Sequence, residues 1–355
     1  MTKQPKELYK EYPAPDEDQI IEQIWQEIAA RQNAARSAQE PVHRGFNSKT
    51  YGVFWGYLDI LETDTPYNVG LFSKAATYKV IVRFGGGASS IITDENKKDP
   101  CSISIKVIDA PGDKIIADDT ELDSQNFVFL NSNAMFVPNL KDFHHVVGHQ
   151  MSGNKFGLLS YFLNPFGGHK FGHRISQFKN LMSLCGQRLG NDLSVMRYWS
   201  MTPYALGTKA CKYKLVPHSS NADHAISLQS TGFDFLRENI SAILQNHDLD
   251  FDFQVQLQQN ADAQPIEIAS VAWDEQDAPL GTVARLRIPR QDGKNELLEL
   301  ADRLSFNPWT TPEVHRPLGG INRARKKVYD LSYANRSQQK SSPDRESVLS
   351  MFPQE

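Results

Sequence analysis

Apolar positions change period along this chain, and the changes mark out its elements. Between Asp18 and Ala38, the residues Ile20, Ile21, Ile24, Trp25, Ile28 and Ala29 recur at helical spacing with polar residues between them. That predicts an amphipathic helix packed on a larger body, with a homodimer contact as the alternative use of the same face. From residue 51 onward the period drops to two. Segments 51–61, 77–84, 101–108 and 126–131 are short, rich in β-branched and aromatic residues, and bounded by Gly, Asp, Asn or Pro, which is the pattern of strands. Strand-like runs return at 196–199, 210–217, 250–258, 266–273 and 281–289, with a helical stretch at 233–246. In DFDFQVQLQ (250–258) polar and apolar residues alternate, so one face is wet and the other buried. No helical crossover separates the early strands, which favours antiparallel pairing over a doubly wound sheet. Two groups of about four strands predict an α+β fold built on an antiparallel eight-stranded β-barrel with flanking helices.

The two strand groups are separated by residues of different character, about 139–190, which read as a mostly helical insertion. His144, His145, His149, His169 and His173 are scattered there among Phe, Gly and Asn. His145 and His149 share a helix face, but no acidic partner stands at HExxH spacing, so a helical excursion is preferred to a metal site. The organisation expected is an N-terminal arm and helix over 1–40, a single domain over 41–336, and a polar, loosely held tail over 337–355.

Charge and cysteine content narrow the class. Lys and Arg total 38 against 42 Asp and Glu, a formal net charge of −4, which gives no reason to expect nucleic acid as a partner. The three cysteines Cys101, Cys185 and Cys211 are widely separated; they fit a reducing compartment and are too sparse for a zinc site. No run approaches the roughly 18 apolar residues of a transmembrane segment, and the first 30 residues are charged rather than signal-like. A cytoplasmic protein is expected.

The stretch with the most chemistry is 302–336, DRLSFNPWTTPEVHRPLGGINRARKKVYDLSYANR. After a turn containing Pro and Trp it passes Gly319 and Gly320 and becomes a helix that Asn322 can cap. On that helix Arg325, Tyr329 and Arg336 project within roughly 40° of one another at about 100° per residue. Such a face is either a solvated basic helix, given Arg323, Lys326 and Lys327 beside it, or a ligand helix. In the second case a phenol that ordinarily titrates near pH ~10 is held ionised by a trivalent iron and a neighbouring cation. Tyrosine is one of the few axial ligands of haem iron.

The segment resembles the proximal haem segment of the catalase superfamily, in which an Arg-X-X-X-Tyr helix follows a Phe-Asp/Asn-Pro turn, here Phe306, Asn307 and Pro308. It is most similar to the short catalase-like haem proteins, the catalase-related peroxidase and allene oxide synthase-type group, many of which carry "SFNPW…HRPLGGINRAR..VY". The resemblance implies ferric haem b with Tyr329 as axial ligand, Arg325 polarising the phenolate and Arg336 at the haem edge. Arg83 in VIVRFGGG matches the "vRFS" segment, which implies a propionate contact. SQNFVFLNSNAMF resembles "TQDF…N.PVFF" and puts Asn131 at the distal asparagine, although a turn asparagine at a strand end is the plain reading of the same residue. The run PVHRGFNSKTYG resembles "RG.H.K.HG". Matched so, Arg44 contacts a propionate and Asn47 stands where the distal histidine belongs; the alternative match makes His43 that histidine at the expense of Arg44.

An amide takes no proton near neutral pH, so Asn47 cannot serve as the general base for hydrogen peroxide. The resemblance therefore implies a haem-dependent enzyme acting on small-molecule or lipid hydroperoxides, by peroxidase or rearrangement chemistry. The alternative is a haem-binding sensor, carrier or enzyme on another substrate with little peroxide activity.

Overall fold

The computed structural model describes residues 7–88, 90–95, 100–117, 120–151, 191–292, 295–338 and 342–353. Its centre is a sheet of strands β1 (Thr50–Ile60), β2 (Ala76–Gly86), β3 (Cys101–Val107), β4 (Gln125–Leu130), β5 (Tyr198–Trp199), β6 (Tyr204–Leu206), β7 (Lys209–Pro217), β8 (Leu249–Leu257) and β9 (Leu280–Ile288). The order is β5-β4-β3-β2-β1-β9-β8-β7-β6, and a further β5–β7 pairing closes it. Eight strands thus form a ring of antiparallel neighbours, with β6 alongside β7. The predicted antiparallel barrel is what the chain builds.

Alternation explains the interior. Leu249, Phe251, Phe253 and Val255 of β8 point inward and are fully buried, while Asp250, Asp252 and Gln254 between them are partly exposed. Inside, Phe253 stands edge-on to Phe127 at 5.1 Å between centroids and to Phe129 at 5.6 Å, the arrangement that ring quadrupoles favour.

A buried histidine, His315, stands edge-on to Phe72 of the core at 5.4 Å between centroids. His315 Nε2 accepts from the Leu71 N–H at 3.0 Å, and Nδ1 lies 3.4 Å from the Tyr213 hydroxyl. At Gly70, φ is +54° and a Cβ would sit 2.4 Å from His315 Nε2, so only glycine fits there. Burial pushes the imidazole down to about 4 from 6.5. Between those values the unfolded chain binds the proton and the folded chain does not. Stability is therefore full above pH 6.5 and falls by roughly 3 kcal/mol on acidification to about pH 4. Melting temperatures across that range check this; His315→Gln, which keeps an acceptor for Leu71 N–H, is expected to flatten the slope.

The helices are α1 (Glu17–Ser37), α2 (Leu140–Met151), α3 (Phe235–Asn246), α4 (Asn295–Arg303), α5 (Gly320–Ser337) and α6 (Arg345–Leu349). Ile20, Ile21, Ile24 and Ile28 of α1 pack in one cluster with Ile321, Ala324 and Val328 of α5. The apolar face of α1 is thus used on the body of the molecule. His144 Nε2 of α2 meets Glu27 of α1 at 3.0 Å. The remainder of the expected insertion, with His169 and His173, lies outside the described residues, as do Cys185 and the side chain of His149. No helix among the described residues is long and apolar enough to cross a membrane.

Three expectations are corrected. Residues 266–273 are not a strand. Ile266, Ala269 and Trp273 are buried as a strand's residues would be, but their backbone is satisfied elsewhere. Ala269 N–H donates to Pro138 O at 2.8 Å, and the carbonyls of Val271 and Trp273 accept from the side chains of Lys212 and Gln256, each at 3.1 Å. The tail, expected to be loosely held, is packed over 345–353: Asp344 caps α6 by accepting from Ser347 N–H at 2.7 Å, and Val348 and Phe352 are buried. Finally, α5 begins at Gly320, so Asn322 lies inside its first turn instead of capping it. There Asn322 is fully buried and donates to Pro203 O at 2.8 Å and Leu318 O at 3.0 Å.

Candidate functional site

Arg83 of β2 pairs in register with Ser104 of β3, and Ser104 with Val128 of β4. Register partners share a face, so the three side chains form a row across the sheet. Val328, Tyr329, Ser332 and Tyr333 of α5 face that row across a cleft whose empty space, including the part open to solvent, is about 530 Å³. Phe46 and Asn47, from the segment leading into β1, and Phe306, after α4, supply further wall.

The cavity is cationic. Arg44, Arg83 and Arg336 line it, and no carboxylate or imidazole does among the described residues. Arg83 is 2% exposed and its described hydrogen bonds all go to neutral acceptors: Thr50 Oγ1 at 2.8 Å, Asn47 O at 2.7 Å and Lys49 O at 3.2 Å. Arg44 and Arg336 both donate to Leu304 O, at 3.1 and 3.2 Å, and Arg44 also meets Asp302 Oδ1 at 3.1 Å. Burial pushes the Arg83 guanidinium well down, with Arg44 and Arg336 beside it adding to the shift. It pushes Arg336 down to about 9, Arg44 again adding to it. Asp302, 3.1 Å from Arg44, offsets part of this repulsion at Arg83 and Arg336, and a further anion in the cavity would offset more of it. An ionised Tyr329 phenol would favour the charged forms of Arg44 and Arg83, so roof and wall are electrostatically linked.

The roof helix is fixed at its N-terminus. Gly319 has φ +86° and a Cβ there would lie 2.6 Å from Ile266 O. The Gly319 N–H donates to Glu11 at 2.8 Å and the Gly320 N–H to Glu267 at 2.9 Å, both carboxylates lying where the helix dipole favours negative charge. Arg323, one turn in, pairs with Glu11, Glu17 and Glu267. Trp309 Nε1 donates to Asn322 O at 2.6 Å. These contacts set the rotation of α5 and hence where Tyr329 points.

Of the residues singled out in the sequence, Tyr329, Arg336, Arg44, Arg83 and Asn47 come together around this cavity. The other three do not line it. Arg325 donates to Thr202 Oγ1 at 3.2 Å and Asn322 Oδ1 at 3.1 Å. It lies beside Tyr204, whose phenol burial pushes up to about 12 against the pull of that guanidinium. Asn131 accepts from the Cys101 N–H at 2.9 Å through Oδ1, the arrangement of an asparagine clamping a strand start. His43 lines a neighbouring cavity. Tyr333, which also lines the cavity, stands four residues after Tyr329 on the same helix face, a spacing readable in the sequence. Among the described residues no group of three or more His, Cys, Asp or Glu is placed to hold a metal ion.

No protein-family model and no curated protein matches the sequence. Solved structures do. A fungal catalase superimposes with a TM-score of 0.64 at 16% identity, covering 86% of this chain and 62% of its own. Catalase A from Saccharomyces cerevisiae gives 0.65 at 15% identity, covering 85% and 63%. A bacterial catalase gives 0.62 at 15%, covering 87% and 59%. This chain thus spans less than two thirds of the length of each. The fold over most of its residues is that of the catalases.

Proposed function

We propose that the cationic cavity is the site of ferric haem b, whose iron Tyr329 would hold and whose propionates Arg44, Arg83 and Arg336 would hold, and that the protein transforms organic or fatty-acid hydroperoxides in the cytoplasm. The observation that carries this reading is the combination of three guanidiniums without a lining carboxylate, apolar walls from Phe46, Val128, Phe306 and Val328, and a phenol on the roof. A flat apolar dianion satisfies all three features, and charge-assisted pairing to buried arginine is the strong kind. A single tyrosinate suffices to hold haem iron, so the reading needs no cluster of metal ligands.

When bound, ferric haem supplies the redox centre able to cleave a peroxide bond. The chain's own contribution is positional. Asn47, held with φ +53°, offers an amide that can donate to a substrate oxygen but takes no proton. With no carboxylate or imidazole among the described residues that line the cavity, none of these serves as general base for hydrogen peroxide. Homolytic opening of an organic hydroperoxide, which does not depend on relaying a proton between the two peroxide oxygens, suits such walls better.

The same lack of a lining base also favours a second reading, a haem-binding sensor or carrier. The two separate on adding hydrogen peroxide and then a lipid hydroperoxide to the haem-loaded protein: turnover of the lipid substrate is expected, and an unchanged spectrum with both supports the carrier. Haem binding itself is tested by titrating the haem-free protein with protoporphyrin IX and with its neutral dimethyl ester. The diacid is expected to bind at least ~10-fold more tightly, because only it pairs with the arginines. Equal affinities would remove the assigned role of Arg44, Arg83 and Arg336.

A further inference from the structure

His218 and His224 flank the short turn Ser219–Ala222. His247, just after α3, reaches the same turn, its Nε2 lying 2.8 Å from Ser220 O. None of the three lines the cavity of Tyr329. The rings of His224 and His247 are neighbours, 6.5 Å apart between centroids at an interplanar angle of 74°, and His224 Nε2 lies 2.7 Å from Asp192 Oδ2. We infer that His224 and His247 form a binding site for one divalent late transition-metal ion, ligated through Nδ1 of each ring and independent of whatever fills the first cavity.

Carboxylate and carbonyl oxygens only accept, so Nε2 of each ring carries a proton, and in the neutral ring the lone pair is on Nδ1. The His224 side chain is 8% exposed, and its Nδ1 is buried with no hydrogen-bond partner; no partner of His247 Nδ1 is found among the described residues. Leaving a buried nitrogen unpaired is unfavourable, and a metal ion is a partner that two adjacent lone pairs can share. Histidines that ligate a metal almost always donate their other ring N–H to a carboxylate or a backbone carbonyl, which fixes the tautomer and raises the basicity of the ligating nitrogen. Asp192 and Ser220 O occupy those two positions. The support is itself held. Asp192 Oδ1 accepts from Ser194 N–H at 2.8 Å and from the Ser194 hydroxyl, and the buried Asn221 amide donates to Ser194 O and Asp250 O at 2.9 Å each. With metal–nitrogen bonds of about 2.0–2.1 Å, the centroids of two imidazoles on one ion lie about 5 Å apart at a tetrahedral angle and about 6.4 Å apart when opposite. The observed separation is just past the wide end, so an inward turn of the partly exposed His247 by up to about 1.5 Å spans the whole range. Imidazole suits zinc, copper and nickel, whereas magnesium takes oxygen ligands. Two protein ligands leave the other positions to water, which agrees with the lack of any group of three or more metal-ligating side chains among the described residues.

The test is isothermal titration of the full chain at pH 7 with zinc chloride, with magnesium chloride as the comparison. Saturable binding of zinc is expected, and none of magnesium. His247→Ala and His224→Gln each remove a ligand and are expected to weaken zinc at least ~10-fold, and Asp192→Asn, which leaves both ligands in place but removes the charged partner of His224, about tenfold. His218→Ala is the control. Its Nε2 meets Asp252 Oδ1 at 3.1 Å, on a strand that neither ligand touches through its ring nitrogens, and zinc affinity is expected to stay within about twofold. Absence of saturable zinc binding overturns the inference, as does magnesium binding of equal strength. Zinc binding that survives His247→Ala unchanged, or that is lost only in His218→Ala, overturns it too, because it places the ion elsewhere. His247 is partly exposed after the end of α3, so His247→Ala decides the matter even where replacement of the more buried His224 disturbs the fold.

Discussion

Replacing Tyr329 with phenylalanine is expected to abolish stable haem binding while leaving the barrel intact. The phenol lies on the roof of the first cavity, and no hydrogen bond from its hydroxyl is found among the described residues. Its removal therefore strands no partner and is expected to shift stability by less than about 1 kcal/mol. The effect on haem is of another order, because losing even an outer partner of a metal ligand costs up to ~100-fold and the ligand itself costs more. Tyr333→Phe is the informative control, since Tyr333 lines the same cavity but its hydroxyl donates to Arg303 O at 3.0 Å and meets Ser342. That variant is expected to lose about 1 kcal/mol of stability and keep its haem absorption. Absorption spectra and melting curves of the two proteins decide the matter. A haem spectrum lost in Tyr333→Phe and retained in Tyr329→Phe would move the ligand by one helical turn.

The contrast between these two tyrosines shows what the sequence carried. Period-two runs made most of the barrel legible, because a strand with one wet face writes its register into the order of its residues, as in 249–257. Residues 266–273 misled because burial alone produces the same apolar pattern, while the choice between ladder and loop was made by the side chains of Lys212 and Gln256, distant in sequence. Helix α6 was missed for the opposite reason: five residues carry little periodicity, yet the Asp344 cap with Val348 and Phe352 four residues apart was a readable signal. At the site, helical spacing was enough to bring Tyr329 and Arg336 to one wall, and resemblance added Arg44, Arg83 and Asn47. Spacing could not show that Arg325 is turned toward Thr202 and Asn322, because Thr202 comes from a different segment.

Asn47→His is expected to convert a poor user of hydrogen peroxide into a better one. The haem-loaded protein with Asn47 is expected to release oxygen from hydrogen peroxide slowly, since none of the described lining residues is a carboxylate or imidazole that would accept the peroxide proton. A positioned general base contributes about 10²- to 10⁴-fold, and an imidazole at position 47 is the smallest change that supplies one. The backbone permits it. Asn47 has φ +53°, a region in which asparagine and histidine are both enriched among non-glycine residues, and the bond from Arg83 at 2.7 Å goes to the Asn47 carbonyl, which any side chain retains. A rise in oxygen evolution of about 100-fold is therefore the expected outcome, measured with an oxygen electrode on haem-loaded protein. His43→Ala is expected to leave the slow rate unchanged, because His43 lines the neighbouring cavity and not the first. Should His43→Ala abolish the residual activity and Asn47→His add nothing, the proton would have to pass Arg44 and Arg336, which line both cavities, and position 47 would lose its place beside the reacting oxygen.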